Sequence, residues 1–244
     1  MKAVLAVWED SFFVGGIFMT RRRILYALVI IAAVCFAGRH RIVNLLRRYG
    51  IIDSYREAHY KEMTKLFDNM HEDSESIVFL GDSITEFLNV DEYLPAYHII
   101  NRGIAGDTTS GVLRRLGGVI ALKPRKLFLL IGTNDIGDGV FTAPIARNIR
   151  EIVSRVQAKS PQTKIYLQGV FPTRLASRTN DEVQALNHEI SAIAEDLHCT
   201  FIDLYPLLLA LDGELADEYT IDGLHLSAAA MAKWTAYLVP YLDE

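Results

Sequence analysis

Ile77-Val78-Phe79-Leu80-Gly81-Asp82-Ser83-Ile84 sets four consecutive apolar residues against a glycine, an acid and a serine. A short unbroken apolar run that ends in turn formers suits a strand covered on both faces, the usual condition of a parallel sheet. The serine then stands just past the carboxyl end of that strand. Working outward, residues 97–101 predict a second strand and residues 126–131 (Lys-Leu-Phe-Leu-Leu-Ile) a third, and residues 165–170 and 200–204 complete five. Helical spacing fills the gaps at residues 85–94, 108–116 with Asp107 as the cap, 142–159, 181–197 and 227–242. A further amphipathic helix is expected over residues 53–70, where Tyr55, His59, Met63, Leu66, Phe67 and Met70 recur near helical spacing.

Strands alternating with helices at this spacing build right-handed βαβ units. The expected fold class is α/β, a three-layer α/β/α sandwich around a five-stranded parallel sheet. In such sheets ligands bind beyond the carboxyl ends of the strands, where the strand order reverses. Ser83 follows the first strand, Gly103 and Gly106 the second, and Asn134 the third, so all should meet at one edge.

Near the other end, Asp222-Gly223-Leu224-His225 places a carboxylate three residues before an imidazole. A serine hydroxyl is a weak nucleophile until a base accepts its proton, and a carboxylate can fix that base's tautomer. Ser83, His225 and Asp222 supply these three roles. Backbone N–H groups beside a glycine, together with a side-chain amide, can hold a developing oxyanion. Asn101 to Thr108 and Gly132-Thr133-Asn134-Asp135 contain both types. Taken singly, each block also fits an ordinary cap or turn. Four such blocks in order, each at the end of a predicted strand, are hard to explain as turns.

These blocks resemble those of the SGNH (GDSL-type) hydrolase superfamily, over residues 53–244. Gly81-Asp82-Ser83-Ile84 resembles the nucleophile block, Gly132-Thr133-Asn134-Asp135 the asparagine block and Asp222-Gly223-Leu224-His225 the D-x-x-H block. Asn101 to Asp107, followed by Thr108 and Thr109, resembles the glycine block of bacterial esterases similar to platelet-activating-factor acetylhydrolase catalytic subunits. The resemblance implies a flavodoxin-like SGNH fold, with Ser83 as nucleophile, His225 as base and Asp222 as its partner. It implies an oxyanion hole made by the Ser83 N–H, the Gly106 N–H and the Asn134 side chain. Gly106 is chosen over Gly103 because the family glycine directly precedes Asp-Thr. The implied activity is serine esterase or acylhydrolase chemistry on short-chain, acetyl-type esters, with no metal and no organic cofactor. An O-acyltransferase acting on a cell-envelope glycan would use the same site, and a non-enzymatic domain that binds an acylated glycan is the third alternative.

The remaining charged residues near these blocks have ordinary expectations. Asp82 should hydrogen-bond local backbone, Asp107 should cap a helix and Asp135 should behave similarly, while Arg102, Arg114 and Arg115 should form a solvated face. Trp234, Tyr237 and Leu238 are expected to pack into the core.

The chain has 244 residues, half of them apolar, and a net charge of -5, which excludes a broad basic footprint for nucleic acid. Cys35 and Cys199 are too far apart in context to suggest a disulfide scaffold, and no Cys/His spacing suggests zinc. Residues 1–20 read as an extension without regular structure. Arg21-Arg22-Arg23 precedes the apolar residues 24–38, and Arg39 and Arg41 follow them. Residues 21–41 therefore read as a signal-anchor or signal peptide, residues 42–52 as a juxtamembrane linker, and the domain as membrane-anchored or secreted and extracytoplasmic. Arginines on both sides leave the orientation tied.

Overall fold

The computed structural model describes residues 11–14, 17–20, 51–70 and 76–244. It divides into two compact units, residues 1–55 and 56–244. In the first, β1 (Ser11–Val14) and β2 (Ile17–Thr20) pair antiparallel with Val14 opposite Ile17. The extension expected to lack regular structure thus carries a strand pair. Both tetrads are rich in β-branched and aromatic residues, which favour strands. The expected signal-anchor at residues 21–41 lies outside the described residues. The expected linker does too, save residues 51 and 52, which open helix α1 (Ile51–Asp68). Among the described residues no helix is long and apolar enough to cross a membrane.

The second unit is built on β3 (Ile77–Gly81), β4 (Ile99–Gly103), β5 (Lys126–Leu130), β6 (Lys164–Gln168) and β7 (Thr200–Ile202). All five are parallel, in the order β4-β3-β5-β6-β7. The chain moves one way from β3 to β4 and then back across to β5, so strand order reverses between β3 and β5. Between and after the strands lie α2 (Ser83–Glu86), α3 (Val90–Tyr93), α4 (Thr109–Ala121), α5 (Thr133–Gly137), α6 (Thr142–Lys159), α7 (Asn180–Asp196) and α8 (Ala228–Asp243).

Pleat alternation explains the two cores. Val78, Leu80, Leu127 and Leu129 point to one face and pack with Val112 and Leu116 of α4, Ile149 and Val153 of α6 and Leu186 and Ile190 of α7. Ile77, Phe79, Phe128 and Leu130 point to the other, against Trp234 and Leu238 of α8. β3 and β5 are buried along their whole length, which is why their sequences show no polar alternation. Trp234 and Leu238 are fully buried as expected, but Tyr237 is exposed, because only one face of α8 meets the sheet. Lys126 is the polar exception inside β5: its Nζ donates to the carbonyls of Tyr241 and Leu242 at 2.8 and 2.7 Å, where the end of α8 leaves carbonyls without helical partners.

The helix expected over residues 85–94 is two short ones. It starts at Ser83, where the Asp82 side chain accepts from the Ile84 N–H. Where it stops, the Leu88 N–H turns onto the Thr85 carbonyl and the Asn101 amide donates to the carbonyls of Thr85 and Leu88, at 2.7 and 3.1 Å.

Candidate active site

Ser83, at the first position of α2, lies directly past the carboxyl end of β3, at the edge where strand order reverses. It is nearly buried, at 5 % exposure. Its Oγ is 3.0 Å from His225 Nε2. The His225 Nδ1 is 2.7 Å from Asp222 Oδ2. With a proton on Nδ1 facing the carboxylate, Nε2 is left to accept from the Ser83 hydroxyl. Residues separated by more than 140 positions in the chain thus form one continuous hydrogen-bonded row.

The loop that carries His225 is held from within. Asp222 Oδ1 accepts from the backbone N–H groups of Leu224 and His225 at 3.0 and 2.8 Å. The Thr220 hydroxyl donates to the His225 carbonyl and accepts from the Gly223 N–H. From outside, the Thr173 hydroxyl and the Arg174 N–H both donate to the Gly223 carbonyl. Burial works against the charge on Asp222. The hydrogen bonds from the His225 ring and from the two backbone N–H groups outweigh it and hold the carboxyl below its ordinary range. An ionised Asp222 is the form that can stabilise an imidazolium on His225.

The glycine block separates two candidates by geometry. The Gly103 N–H already donates to Asn101 Oδ1, and a Cβ there would lie 2.1 Å from the Glu86 backbone nitrogen, so Gly103 is a close-approach residue. Gly106 has φ +78°, a left-handed conformation that favours glycine. Asn134 lies in α5, just past β5, and is buried. Its Nδ2 donates to the Asp107 carbonyl at 3.0 Å, which brings the asparagine and glycine blocks together.

Several partners of this constellation are absent from the expectations. Arg178 donates from Nε to the Thr133 carbonyl at 2.8 Å and from one terminal nitrogen to Asn134 Oδ1 at 3.2 Å. Arg56 of α1 approaches the same oxygen at 3.4 Å and forks onto both carboxylate oxygens of Asp138 at 2.8 and 3.1 Å. Both guanidinium groups sit on the amide oxygen, which turns the amide nitrogen toward the glycine block. The only sequence signal was the placement of these arginines beside predicted helix boundaries, and that does not name a partner.

Of the charged residues expected to be ordinary, Asp82 behaves as expected, while Asp107, Arg115 and Arg102 do not. Asp82 does bond local backbone, at Ile84. Asp107 does not cap α4. Thr108 takes that position, accepting from the Gly111 N–H, and Asp107 is buried in an ion pair with Arg115 at 2.8 Å. Arg115 is correspondingly not on a solvated face: it also donates to the carbonyls of Arg102 and Gly81 at 2.9 and 3.0 Å. Arg102 is buried as well, with its guanidinium over the Phe67 ring. A charge alternating along a helix is invisible as a buried pair until the facing strand end is known. Asp135 accepts from the Thr109 N–H and hydroxyl at 2.9 and 2.6 Å, tying α5 to α4.

Asp82, next to Ser83, has a distinct electrostatic character. Burial pushes its carboxyl from 3.8 up to about 7, the neighbouring Asp107 and Asp135 add to the rise, and the Ile84 N–H and Arg178 oppose it. An acid with a raised folded pKa binds its proton more tightly folded than unfolded. Its stabilising contribution is greatest below pH 3.8 and is lost as pH rises toward 7. Asp82→Asn keeps an acceptor for Ile84 and removes the titration. Its Tm is expected to exceed the wild type's at pH 8, by about 2–4 °C for each kcal/mol relieved, with the gap shrinking as pH falls from 7 to 4. Melting curves across that range check this, and a gap independent of pH would contradict it.

Phe87 is half exposed beside the site, its ring 5.4 Å from that of His225. A cavity of about 380 Å3 lined by Phe67, Arg102, Arg115 and Val119 contains none of Ser83, Asp222 or His225. Among the described residues no group of three or more His, Cys, Asp or Glu side chains comes together to hold a metal ion.

The model of the GDSL-like Lipase/Acylhydrolase family matches residues 79–233. Platelet-activating factor acetylhydrolase IB subunit alpha2 of Gallus gallus is 29% identical over 165 residues, which cover 64% of this chain and 71% of that protein. The corresponding subunit alpha1 of Homo sapiens is 28% identical over 159 residues, covering 62% and 68%. Among solved structures, a Streptococcus pneumonia protein provisionally described as a platelet activating factor aligns with TM-score 0.75 at 28% identity, covering 80% of this chain and 98% of that one. The acetyl xylan esterase AlAXEase shares the fold, with TM-score 0.60 at 19% identity, covering 68% and 98%.

Proposed function

The chain belongs to the GDSL-like lipase/acylhydrolase family, and from that premise we propose that it hydrolyses short-chain, acetyl-type carboxylic esters through an acyl intermediate on Ser83. The observation that carries this reading is the row Ser83 Oγ–His225 Nε2–Asp222 Oδ2, with separations of 3.0 and 2.7 Å. Ser83 Oγ attacks the ester carbonyl while His225 Nε2 takes its proton, and the ionised Asp222 stabilises the resulting imidazolium. The tetrahedral oxyanion is held by the N–H groups of Ser83 and Gly106 and by Asn134 Nδ2. Collapse expels the alcohol, which takes the proton back from His225. Water then attacks the acyl-serine and gives one proton to His225; collapse breaks the acyl bond to Ser83 Oγ, which takes that proton back from His225, and the carboxylic acid is released.

The preference for small acyl groups is supported by the names of relatives, one an acetylhydrolase and one an acetyl xylan esterase, and by the partly exposed side chains of His225 and Asp222. A p-nitrophenyl ester series is expected to give the highest kcat/KM at the acetyl or propionyl ester, falling about 10-fold or more by the decanoyl ester. A profile rising with chain length would contradict an acetyl-type substrate. Running the same assay with acetylated xylo-oligosaccharides, and with a free sugar acceptor present, separates hydrolysis from acyl transfer.

The extracytoplasmic location and membrane attachment are proposed from the sequence of residues 21–41. Protease digestion of intact cells that leaves the domain untouched would overturn an exposed location.

A further inference from the structure

Helix α1 (Ile51–Asp68) lies outside residues 79–233, the span matched by the family model, yet its side chains reach three of the segments that build the site. Arg56 contacts Asn134 Oδ1 and holds Asp138, the residue that follows α5. His59 Nε2 lies 3.0 and 3.1 Å from the two carboxylate oxygens of Glu86, in the same short helix as Ser83. The other end of this link is the Ala105 N–H, which donates to Glu86 Oε2 one residue before Gly106. Tyr60 OH donates to the Gly111 carbonyl at 2.9 Å. One helix thus grips the asparagine block, the serine helix and the glycine loop.

We propose that Arg56 is a positioning residue that acts through Asn134, so that α1 sets the oxyanion-binding geometry from outside the family core. This inference rests on the esterase reading. The chemistry follows from where the guanidinium sits. An oxyanion donor is effective when it is preorganised and polarised before charge develops. Asn134 has one Nδ2 hydrogen committed to the Asp107 carbonyl, and the direction of the other depends on which way the amide plane faces. A cation at the amide oxygen holds that plane and draws electron density from the nitrogen, making its remaining N–H a stronger donor. Arg178 and Arg56 both contribute at that oxygen. Arg56 is in turn fixed by its two-pronged pair with Asp138, so its contact is set by geometry that spans 82 residues of sequence. At 3.4 Å its own hydrogen bond is long, and its influence is electrostatic and orienting more than it is a strong single bond.

A double-mutant cycle on short-chain ester turnover tests this. Arg56→Met is expected to lower kcat about 10-fold with KM within about 2-fold, because the interaction strengthens only as the oxyanion forms. In an Asn134→Ala background the same substitution should change kcat by less than about 2-fold, since the residue it acts through is gone. Active-site titration with a fluorophosphonate probe corrects for any loss of folded enzyme, and Arg56→Gln, which keeps a donor, provides a second and milder variant. Equal fold-losses in both backgrounds, for a wild type that is active and labelled, would overturn the positioning role alone. A wild type that neither turns over esters nor takes the label would overturn the esterase reading and this role together.

Discussion

Ser83→Ala is expected to lower kcat toward short-chain p-nitrophenyl esters by about 10⁵-fold or more while leaving the protein folded. The size follows from what the hydroxyl does: without Oγ there is no acyl-enzyme, and His225 has no nucleophile to deprotonate. What survives is the modest rate from water attacking a carbonyl bound near the oxyanion donors. The fold should tolerate the change. The cap of α2 is Asp82, not Ser83, and the serine side chain bonds to His225. The expected loss of stability is about 1 kcal/mol or less. Steady-state kinetics with a melting curve on the same preparation checks both halves. Turnover like the wild type's would remove Ser83 from the mechanism.

Asn134→Ala carries the second largest expectation, a fall in kcat of about 10²–10³-fold. Here a structural cost accompanies the chemical one. The amide oxygen accepts from Arg178 and Arg56, and the nitrogen donates to the Asp107 carbonyl. Truncation takes the amide donor from the buried Asp107 carbonyl, at about 1–3 kcal/mol, while Arg56 keeps Asp138 and Arg178 keeps the Thr133 carbonyl. Asn134→Asp separates the two effects. A carboxylate still accepts from both guanidinium groups, although it loses the donation to the Asp107 carbonyl, and it offers no N–H to an oxyanion. Its kcat is expected to be as low as that of the alanine variant, with a smaller drop in Tm. An aspartate variant that retains most of its turnover would show that the nitrogen is not a donor in the reaction.

The sheet was legible because the parallel strands are covered on both faces: Ile77-Val78-Phe79-Leu80 and residues 126–131 had no other place to go. The ends of those strands were legible too, since glycine, asparagine and serine mark where an extended chain turns. Helix α6 (Thr142–Lys159) was read to the residue, and Ser227, where the last helix was expected to start, is the cap of α8. Partnerships across the fold were not legible. Asp107 looked like a cap because acids before helices usually are, and Arg115 looked solvated because arginines on helices usually are. Each is buried only because the other is there. Arg56 and Arg178 converge on one amide oxygen from opposite sides of the sequence, and no periodicity within either segment encodes that meeting. The break in the helix expected over 85–94 is of the same kind, with a side chain from β4 donating to its carbonyls.

The central claim is that Ser83 becomes covalently acylated by virtue of its contact with His225. The measurement that tests it most directly is reaction of the folded protein with a fluorophosphonate probe, followed by intact mass and peptide mapping. A single adduct per chain is expected, located on Ser83, absent from Ser83→Ala and formed far more slowly in His225→Ala. No adduct on the wild type, an adduct mapped to another residue, or undiminished labelling of Ser83→Ala would contradict it.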